Sequence, residues 1–260
     1  MVVNDSVFVV DGTVLTVAGA DSNAVINGNA GTRLFTVVNA ALHVSGVNIS
    51  LGASVAGEAI AAAGSTQTFD RANFVRHGAT ALGGVVFVSD GSNASCVGAG
   101  TFADNSASID GGAVYASGGS TISCGASWLN NVAGDIGGTI RVLGGSTISW
   151  DEEPLFAYST AARAGGALSV NNESSVSWNA ATGFNSNTAG LVGARSRRLF
   201  AIPLRTAVVL SLYLTVRRLP RAVSPRIWGM KPGMLGAPCM SKTARTFRGA
   251  GRPRATSTRT

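Results

Sequence analysis

The sequence predicts an all-β protein whose short strands wind into a parallel β-helix of about seven coils. The first observation is a phrase that returns at intervals of 28, 26, 28 and 28 residues, each copy marked by an aromatic side chain: Phe74, Phe102, Trp128, Phe156 and Phe184. The second is a glycine pair that begins nine residues after each of the first four aromatics, at Gly83, Gly111, Gly137 and Gly165. A fixed period of this length is typical of stacked repeat architectures.

The third observation is the composition of the segments between these anchors. Thr, Val, Ile and aromatic residues, which favour strands, alternate with the Gly, Asn, Asp and Ser of tight turns, as in the run from Gly112 to Cys124. No stretch up to Gly190 has an apolar stripe at helical spacing, and that part of the chain contains no Lys. We therefore predict short strands separated by turns, and no helical repeats.

The number of coils follows from the strand-rich segments, which begin at Thr13, Ala41, Ser65, Ser92, Ser120, Ser146 and Ser174. One coil of two or three short strands cannot bury its apolar surface alone, whereas stacked coils share a continuous core. At roughly 4.8 Å per coil, the stack would form a rod on the order of 34 Å long.

Stacking also predicts that equivalent side chains of successive coils contact each other. Three columns follow from the spacing: the aromatic residues above, expected to form the main inward ladder; Cys96, Cys124, Trp150 and Trp178; and His77, Asn105, Asn131, Ser159 and Asn187. Amides of the third column are expected to hydrogen-bond from coil to coil, as side-chain ladders do in stacked strands. We interpret all three columns as core and turn structure.

Two short motifs alternate through this region. The first begins at Phe102, Trp128 and Phe184 and ends three residues later at an Asn, and the second begins at Gly111, Gly137 and Gly165. Over about residues 65 to 190 they resemble the Phe-x-x-Asn and Gly-Gly-Ala-aliphatic motifs of polymorphic outer membrane protein (Pmp-like) repeats. Residues 25–49 resemble the first coils of pectin-lyase-like β-helices, and this resemblance implies a right-handed parallel β-helix.

The resemblance implies a surface-exposed or secreted protein, in that family often an adhesin. The expected function is a non-enzymatic, adhesin-like scaffold that binds extracellular glycans or surface proteins. The expected location is extracellular or on the cell surface, and the family resemblance implies association with the outer membrane. A membrane-attached surface protein is a further alternative.

Charge divides the chain into two parts. Up to Ala194 there are five Arg, no Lys and all thirteen acidic residues, whereas the remainder has fifteen Lys and Arg and no acid. We predict a β-helix domain at 1–194 and a basic C-terminal tail at 195–260, because the repeat breaks at Gly193 inside its own motif. The tail is expected to be disordered or poorly structured, or a gene-model artefact. The alternative is an arm for nucleic acid or a membrane surface, but Trp228 is its only tryptophan and no amphipathic pattern is present, so nucleic-acid binding is not expected.

Neither end of the chain carries a clear membrane or export signal. The apolar stretch 199–216 is interrupted by Pro203 and Arg205, which leaves eleven residues where a span needs about twenty. A stable membrane span is therefore not expected. Residues 1–6 enter strand-like sequence without the basic and apolar regions of a signal peptide, and no capping coil precedes them. We expect truncation at this end.

Cysteines and sequons say little about the compartment. Cys96 and Cys124 are about one coil apart, which permits a disulfide by distance. In parallel strands, the side chains of one column point the same way, and this disfavours the torsion angle that a disulfide needs. We therefore expect two buried free thiols, with Cys239 unpaired in the tail. Asn-x-Ser sequons suit a glycosylated surface, although most are expected to arise by chance; they lie at Asn4, Asn48, Asn93 and Asn172.

The alternative function is catalytic, as a polysaccharide lyase or epimerase of the pectin-lyase-like fold. Such chemistry needs carboxylates from adjacent coils with a basic residue nearby. The best candidates are Asp110, Asp135 and Arg163, just before the glycine pairs, and we interpret them as turn residues facing water. The acidic turn at 151–153 is interpreted as solvated, and the two histidines are far apart in coil order. The sequence therefore assigns no catalytic, cofactor-binding or metal-ligating residue, and it predicts no cofactor.

Overall fold

The computed structural model describes residues 1–21 and 23–190, together with the backbone of three short strands at Leu199–Ala201, Ala207–Val208 and Ser211–Tyr213. In this part of the chain the regular structure consists of strands of two to five residues, without helices. The strands form four sheets, numbered 1 to 4 below. The predicted all-β class is confirmed. The rest of the predicted tail, 195–260, lies outside the described residues.

The strands of each sheet follow one another in chain order. Sheet 1 contains Val7–Val10, Phe35–Val38, Ile60–Ala63, Val86–Ser89, Val114–Ala116, Ile140–Val142, Leu168–Asn171 and Ser211–Tyr213. Sheet 2 contains Val14–Ala18, Ala41–Ser45, Thr66–Asp70, Asn93–Val97, Thr121–Ser123, Thr147–Trp150, Ser175–Trp178 and Ala207–Val208. Sheet 3 contains Val25–Asn27, Asn48–Ser50, Asn73–Val75, Thr101–Ala103, Ser127–Leu129, Leu155–Ala157, Thr182–Asn185 and Leu199–Ala201. Sheet 4 contains Gly78–Ala79, Ser106–Ala107, Val132–Ala133, Thr160–Ala161 and Thr188–Ala189.

Each coil passes through sheets 1, 2 and 3 in turn and, from the third coil onward, through sheet 4 before it enters the next coil. Successive coils pair in parallel register, with Val14 opposite Ala41 in the first two coils and Thr147 opposite Ser175 in the last two. The parallel strands make seven coils, as predicted. The three short strands after residue 198 instead pair antiparallel with the seventh coil.

The aromatic column is the predicted inward ladder. Its rings stack through coils 3 to 7, with successive ring centroids 4.8, 4.3, 5.8 and 5.0 Å apart, in the order Phe74, Phe102, Trp128, Phe156 and Phe184. All five side chains are buried. Stacked aromatic pairs contribute about 0.5–1.5 kcal/mol each beyond the apolar area they bury. The ladder therefore both fills the core and aligns one coil with the next.

The asparagine column lies at the buried corner between sheets 3 and 4. Asn105 Nδ2 donates to Asn131 Oδ1 at 3.1 Å, which is the amide-to-amide bond predicted from the sequence. Other bonds go to the main chain: Asn131 Nδ2 donates to the carbonyl oxygen of Phe102 at 2.9 Å, and its Oδ1 accepts from the backbone N–H of Asn105 at 3.2 Å. These amides satisfy buried backbone groups where strand pairing stops.

The cysteine pair differs from the sequence expectation. Cys96 and Cys124 form a disulfide between coils 4 and 5, with α-carbons 4.6 Å apart, so the expectation of two free thiols is wrong. Pairing between these two strands ends at Ser95 and Ser123, one residue before each cysteine. Cys96 is still paired with Phe69 of the preceding coil, but Cys124 lies one residue past the strand Thr121–Ser123, so the two side chains are not held parallel to each other. Cys239 lies outside the described residues.

Candidate functional site

The carboxylates and the arginine that the sequence singles out lie at the corner between sheets 4 and 1, just before the glycine pairs. The backbone N–H of Arg163 donates to the carbonyl oxygen of Asp135 at 2.8 Å, so these residues occupy one column in successive coils. Asp110 lies in the adjacent column, where it forms an isolated bridge with Leu82. The structure therefore brings the three residues into neighbouring columns, as the spacing predicts.

Two carboxylate–guanidinium pairs form at this corner. Asp135 Oδ2 and Arg163 Nη2 are 2.6 Å apart, and both side chains are partly exposed. Asp110 Oδ2 lies 3.6 Å from Nε of Arg141, and both of these side chains are mostly buried. Asp110 also accepts a hydrogen bond from the backbone N–H of Ile136, at 3.0 Å, through Oδ1. Each carboxylate thus has its own guanidinium partner.

Arg141 reaches the corner from the outer face of sheet 1. Its register neighbours are Tyr115 in the preceding coil and Ser169 in the following coil, and Arg141 Nη1 donates to the hydroxyl of Ser169. The ring of Tyr115 stacks on Phe87, with centroids 5.4 Å apart and an interplanar angle of 7°. We call this group the corner cluster; its members are Phe87, Asp110, Tyr115, Asp135, Arg141 and Arg163.

The electrostatics of the corner cluster come from partial burial. Burial raises the pKa of the Asp110 carboxyl, and the neighbouring Arg141 guanidinium opposes that shift. Burial also raises the pKa of the Tyr115 phenol; the charge of Asp110 adds to the rise, and Arg141 opposes it. A phenol whose ordinary pKa is about 10 therefore stays neutral and can donate a hydrogen bond near pH 7.

The carboxylates of the corner cluster already have charged partners. A general acid or base must reach the proton it transfers directly or through one water, whereas both carboxylates of the corner cluster are already engaged by guanidinium groups. Within residues 1–21 and 23–190, no three His, Cys, Asp or Glu side chains lie close enough to hold a metal ion. The cluster instead offers an aromatic pair beside charged planar groups, which can contact rings and hydroxyls from outside.

A small cavity lies beside the disulfide in the core of the described β-helix. It has a volume of about 10 Å³ and is lined by apolar side chains. That volume admits one water at most, whereas pockets for small molecules span about 300–1,000 Å³. A small-molecule ligand would therefore not fit in this cavity.

The remaining candidates from the sequence are not brought together. Asp151, in the acidic turn, accepts a 2.6 Å hydrogen bond from the side chain of Asn179 in the next coil, and both residues are exposed. His43 lies on the outer face of sheet 2, whereas His77 is buried in the asparagine column. These contacts are those of turn and core structure.

Sequence reasoning missed Tyr115 and Arg141 as members of the corner cluster. Each follows the second glycine of its pair by three residues, and Ser169 does the same in the next coil. Tyr115, Arg141 and Ser169 form one column, and Asp110 belongs to the column just before the glycine pairs. Considering these two columns together would have placed Arg141 beside Asp110. The signal was present, but it required knowing that the two columns meet around a corner.

No protein-family model matches the chain, and neither a curated protein nor a solved structure is similar enough to count as a match. Among the described residues, no helix is long and apolar enough to cross a membrane.

Proposed function

We propose that this chain is a non-enzymatic, secreted or cell-surface β-helix that acts as an adhesin-like scaffold and binds glycans or partner proteins on its outer surface. The observation that carries the proposal is the contrast between long outer sheet faces and an interior whose cavity beside the disulfide is about 10 Å³. A protein built this way binds with its faces and turns. The family suggested by the alternating motifs, Pmp-like repeats on a pectin-lyase-like β-helix, belongs to this proposal.

The disulfide supports an extracellular location. Disulfides persist in oxidising compartments such as the cell exterior and are rare in the cytosol, where thiols are kept reduced. The Cys96–Cys124 bond joins two successive coils of the described β-helix. A structural cross-link of this kind suits a secreted or surface protein.

The corner cluster is the surface that we propose for glycan contact. Sugar rings have apolar faces and hydroxyl edges, so they suit an aromatic ring with charged planar groups beside it. Phe87 and Tyr115 supply the stacked rings, and the Asp135–Arg163 pair supplies partly exposed acceptor and donor groups. Because the two ion pairs balance, the cluster carries no excess charge that would require an anionic glycan.

A glycan array tests this function with the full chain. Tyr115→Ala removes half of the aromatic pair, and we expect it to abolish binding to the glycans that the unmodified chain retains. Tyr158→Ala is the matched control, because Tyr158 is an exposed tyrosine in a turn away from sheet 1. Equal binding by the unmodified chain and Tyr115→Ala, or no binding by either to any glycan or surface extract, would contradict the proposal.

The second candidate function, a polysaccharide lyase or epimerase, is favoured by one observation. Asp110 has a raised carboxyl pKa and lies beside Arg141, and perturbed carboxyls beside a basic residue are common in active sites. Turnover of uronic-acid polysaccharides by the full chain tests it. Activity that disappears in Asp110→Asn or Asp135→Asn would replace the scaffold proposal with this one.

A further inference from the structure

The outer face of sheet 2 carries a regular array of small polar side chains. Two outward positions on each strand, two residues apart, repeat in register through coils 3 to 7. We call these ten side chains the hydroxyl grid: Thr66, Thr68, Asn93, Ser95, Thr121, Ser123, Thr147, Ser149, Ser175 and Ser177. Nine of the ten carry a hydroxyl, none is charged, and all are partly or fully exposed. The array has two columns and five rows.

The backbone sets the spacing of the hydroxyl grid in both directions. Neighbouring strands lie about 4.8 Å apart, and residues two positions apart along a strand lie about 6.6 Å apart. At the edge of this sheet, the α-carbons of Cys96 and Cys124 are 4.6 Å apart, close to this strand spacing. The side chains of the grid therefore form a two-dimensional lattice with fixed repeats.

Buried contacts hold this lattice in place. A ladder of buried serines comes directly before the grid in each coil: Ser65, Ser92, Ser120, Ser146 and Ser174. In this ladder, the backbone N–H of Ser120 donates to the hydroxyl of Ser146, and that of Ser146 donates to the hydroxyl of Ser174, both at 3.1 Å. Beneath the grid, Ile122 and Ile148 are fully packed in the core. A one-residue slip would expose these residues, so the register of the grid is strongly specified.

Most of the hydrogen-bonding capacity of the grid is open to solvent. Ser95 donates to the carbonyl oxygen of Gln67 at 3.3 Å, and the hydroxyls of Thr147 and Ser175 bond to each other at 3.1 Å. The other seven side chains make no hydrogen bond to the described residues. Each free hydroxyl offers one donor and two acceptor positions. The grid can therefore hold water molecules at the repeats that the backbone sets.

We propose that the hydroxyl grid is an ice-binding face, which holds an ordered layer of water that matches the surface of an ice crystal. Ice presents oxygen atoms that repeat in two directions at intervals of a few ångströms, and the grid also repeats in two directions at such intervals. A glycan chain repeats in one direction only, and the grid has no aromatic ring on which a sugar could stack. It also has no charge to select an ion or an acidic polymer. This proposal is independent of glycan binding by the corner cluster.

The test measures inhibition of ice recrystallisation and thermal hysteresis with the full chain. Ser123→Tyr places a bulky ring in the centre of the grid, and we expect both activities to be lost. Ser127→Tyr is the matched control, because Ser127 lies in the same coil on the outer face of sheet 3, and it should leave both activities unchanged. Ser123→Thr keeps the hydroxyl and should retain them. Ser149→Tyr is a second grid variant. It takes the place of Ser123→Tyr in the test if circular dichroism shows that Ser123→Tyr is unfolded.

Three outcomes would overturn the proposal. The first is that the unmodified, folded chain leaves ice growth unaffected. The second is that the grid variants and Ser127→Tyr lose activity equally, which would indicate a general effect of surface tyrosines. The third is that the unmodified chain binds a neutral polysaccharide, has no effect on ice, and loses that binding in Ser123→Tyr.

Discussion

At the scale of single residues, His77 shows how a departure from the repeat is accommodated. It occupies a position where three of the four later coils have Asn, and it is buried. Its Nδ1 accepts from the backbone N–H of Gly52 at 3.2 Å, so Nε2 carries the proton and donates to the carbonyl oxygen of Ile49 at 3.1 Å. Only the neutral ring can make both bonds, because a protonated Nδ1 cannot accept.

We therefore expect the coil that contains His77 to lose stability at acidic pH. Burial lowers the pKa of His77 to about 4 from its ordinary 6.5. Below pH 6.5 the unfolded chain binds a proton at this residue that the folded chain does not, so the contribution of His77 to the free energy of unfolding falls as pH drops from 6.5 to 4, by roughly 3 kcal/mol in all. His77→Asn should remove this loss. Urea unfolding at pH 4 to 8 measures it, with His43→Asn as the control; an unchanged slope in His77→Asn would refute the assignment.

Glu58 is a second departure from the repeat. It lies where later coils have the second glycine of a pair. Its carboxylate accepts from the backbone N–H of Ser54 at 3.3 Å and from that of Gly78. Gly78 begins sheet 4, and in the next coil the equivalent N–H of Ser106 is bound by the carbonyl oxygen of His77. Glu58 thus replaces a strand that is absent before sheet 4 starts. Burial raises the pKa of Glu58 to about 6, so its contribution to the free energy of unfolding falls as pH rises from 4.5 to 6, opposite to that of His77.

At the scale of an element, the glycine pairs decide how closely the coils stack at the corner between sheets 4 and 1. A Cβ on Gly138 would lie 2.0 Å from the carbonyl oxygen of Gly166, and one on Gly112 would lie 2.1 Å from that of Gly138. The first glycine of the same pair, Gly137, has a φ of +70°, which side-chain-bearing residues rarely adopt. The two positions of the motif therefore need glycine for different reasons, one conformational and one steric.

Gly138→Ala should destabilise the β-helix, because the obstructing atoms are backbone and cannot rotate away. Overpacking of this kind costs about 1–3 kcal/mol or more. Gly31→Ala is the matched control, since a Cβ there would meet no atom closer than 3.8 Å and its φ is not positive. Thermal unfolding followed by circular dichroism compares the two. Similar melting temperatures for Gly138→Ala and Gly31→Ala would contradict the steric explanation.

At the scale of the whole molecule, stability is spread along the stack of coils. Each coil contacts only its neighbours, so stacking interactions add up from coil to coil. The disulfide links coils 4 and 5 of the described residues covalently, beside the stacked rings of Phe102 and Trp128. It closes a chain segment with a sequence separation of 28 residues.

Removal of this link should lower the stability of the oxidised protein. A loop of that length restricts the unfolded chain enough to stabilise the fold by roughly 3–4 kcal/mol. We therefore expect the double variant Cys96→Ala, Cys124→Ala to unfold at lower urea than the unmodified chain, and reductant to have the same effect on the unmodified chain. Cys239→Ala should have no such effect. A double variant as stable as the oxidised chain would exclude a stabilising role.

Much of the architecture was predictable because stacking forces like residues into columns. The aromatic residues from Phe74 to Phe184 could be read as one inward ladder, since a fixed period in sequence becomes contact between coils. The candidate site was predictable only in part. Asp135 and Arg163 belong to one column and could be paired from spacing, whereas Arg141 lies on the next sheet around a corner, where the turn geometry decides which columns meet.

The sequence by itself determined the strand content, the coil period and the residues that share each column, because these depend on local propensity and on a repeat that can be counted. Tertiary structure alone decided the rest. It closed the disulfide, since pairing between the two strands ends at Ser95 and Ser123 and so does not hold Cys96 and Cys124 parallel to each other. It also turned the chain at the corner between sheets 4 and 1, and this turn placed Arg141 beside Asp110. Angles between successive sheets are set by packing around the core, and one-dimensional spacing carries no record of them.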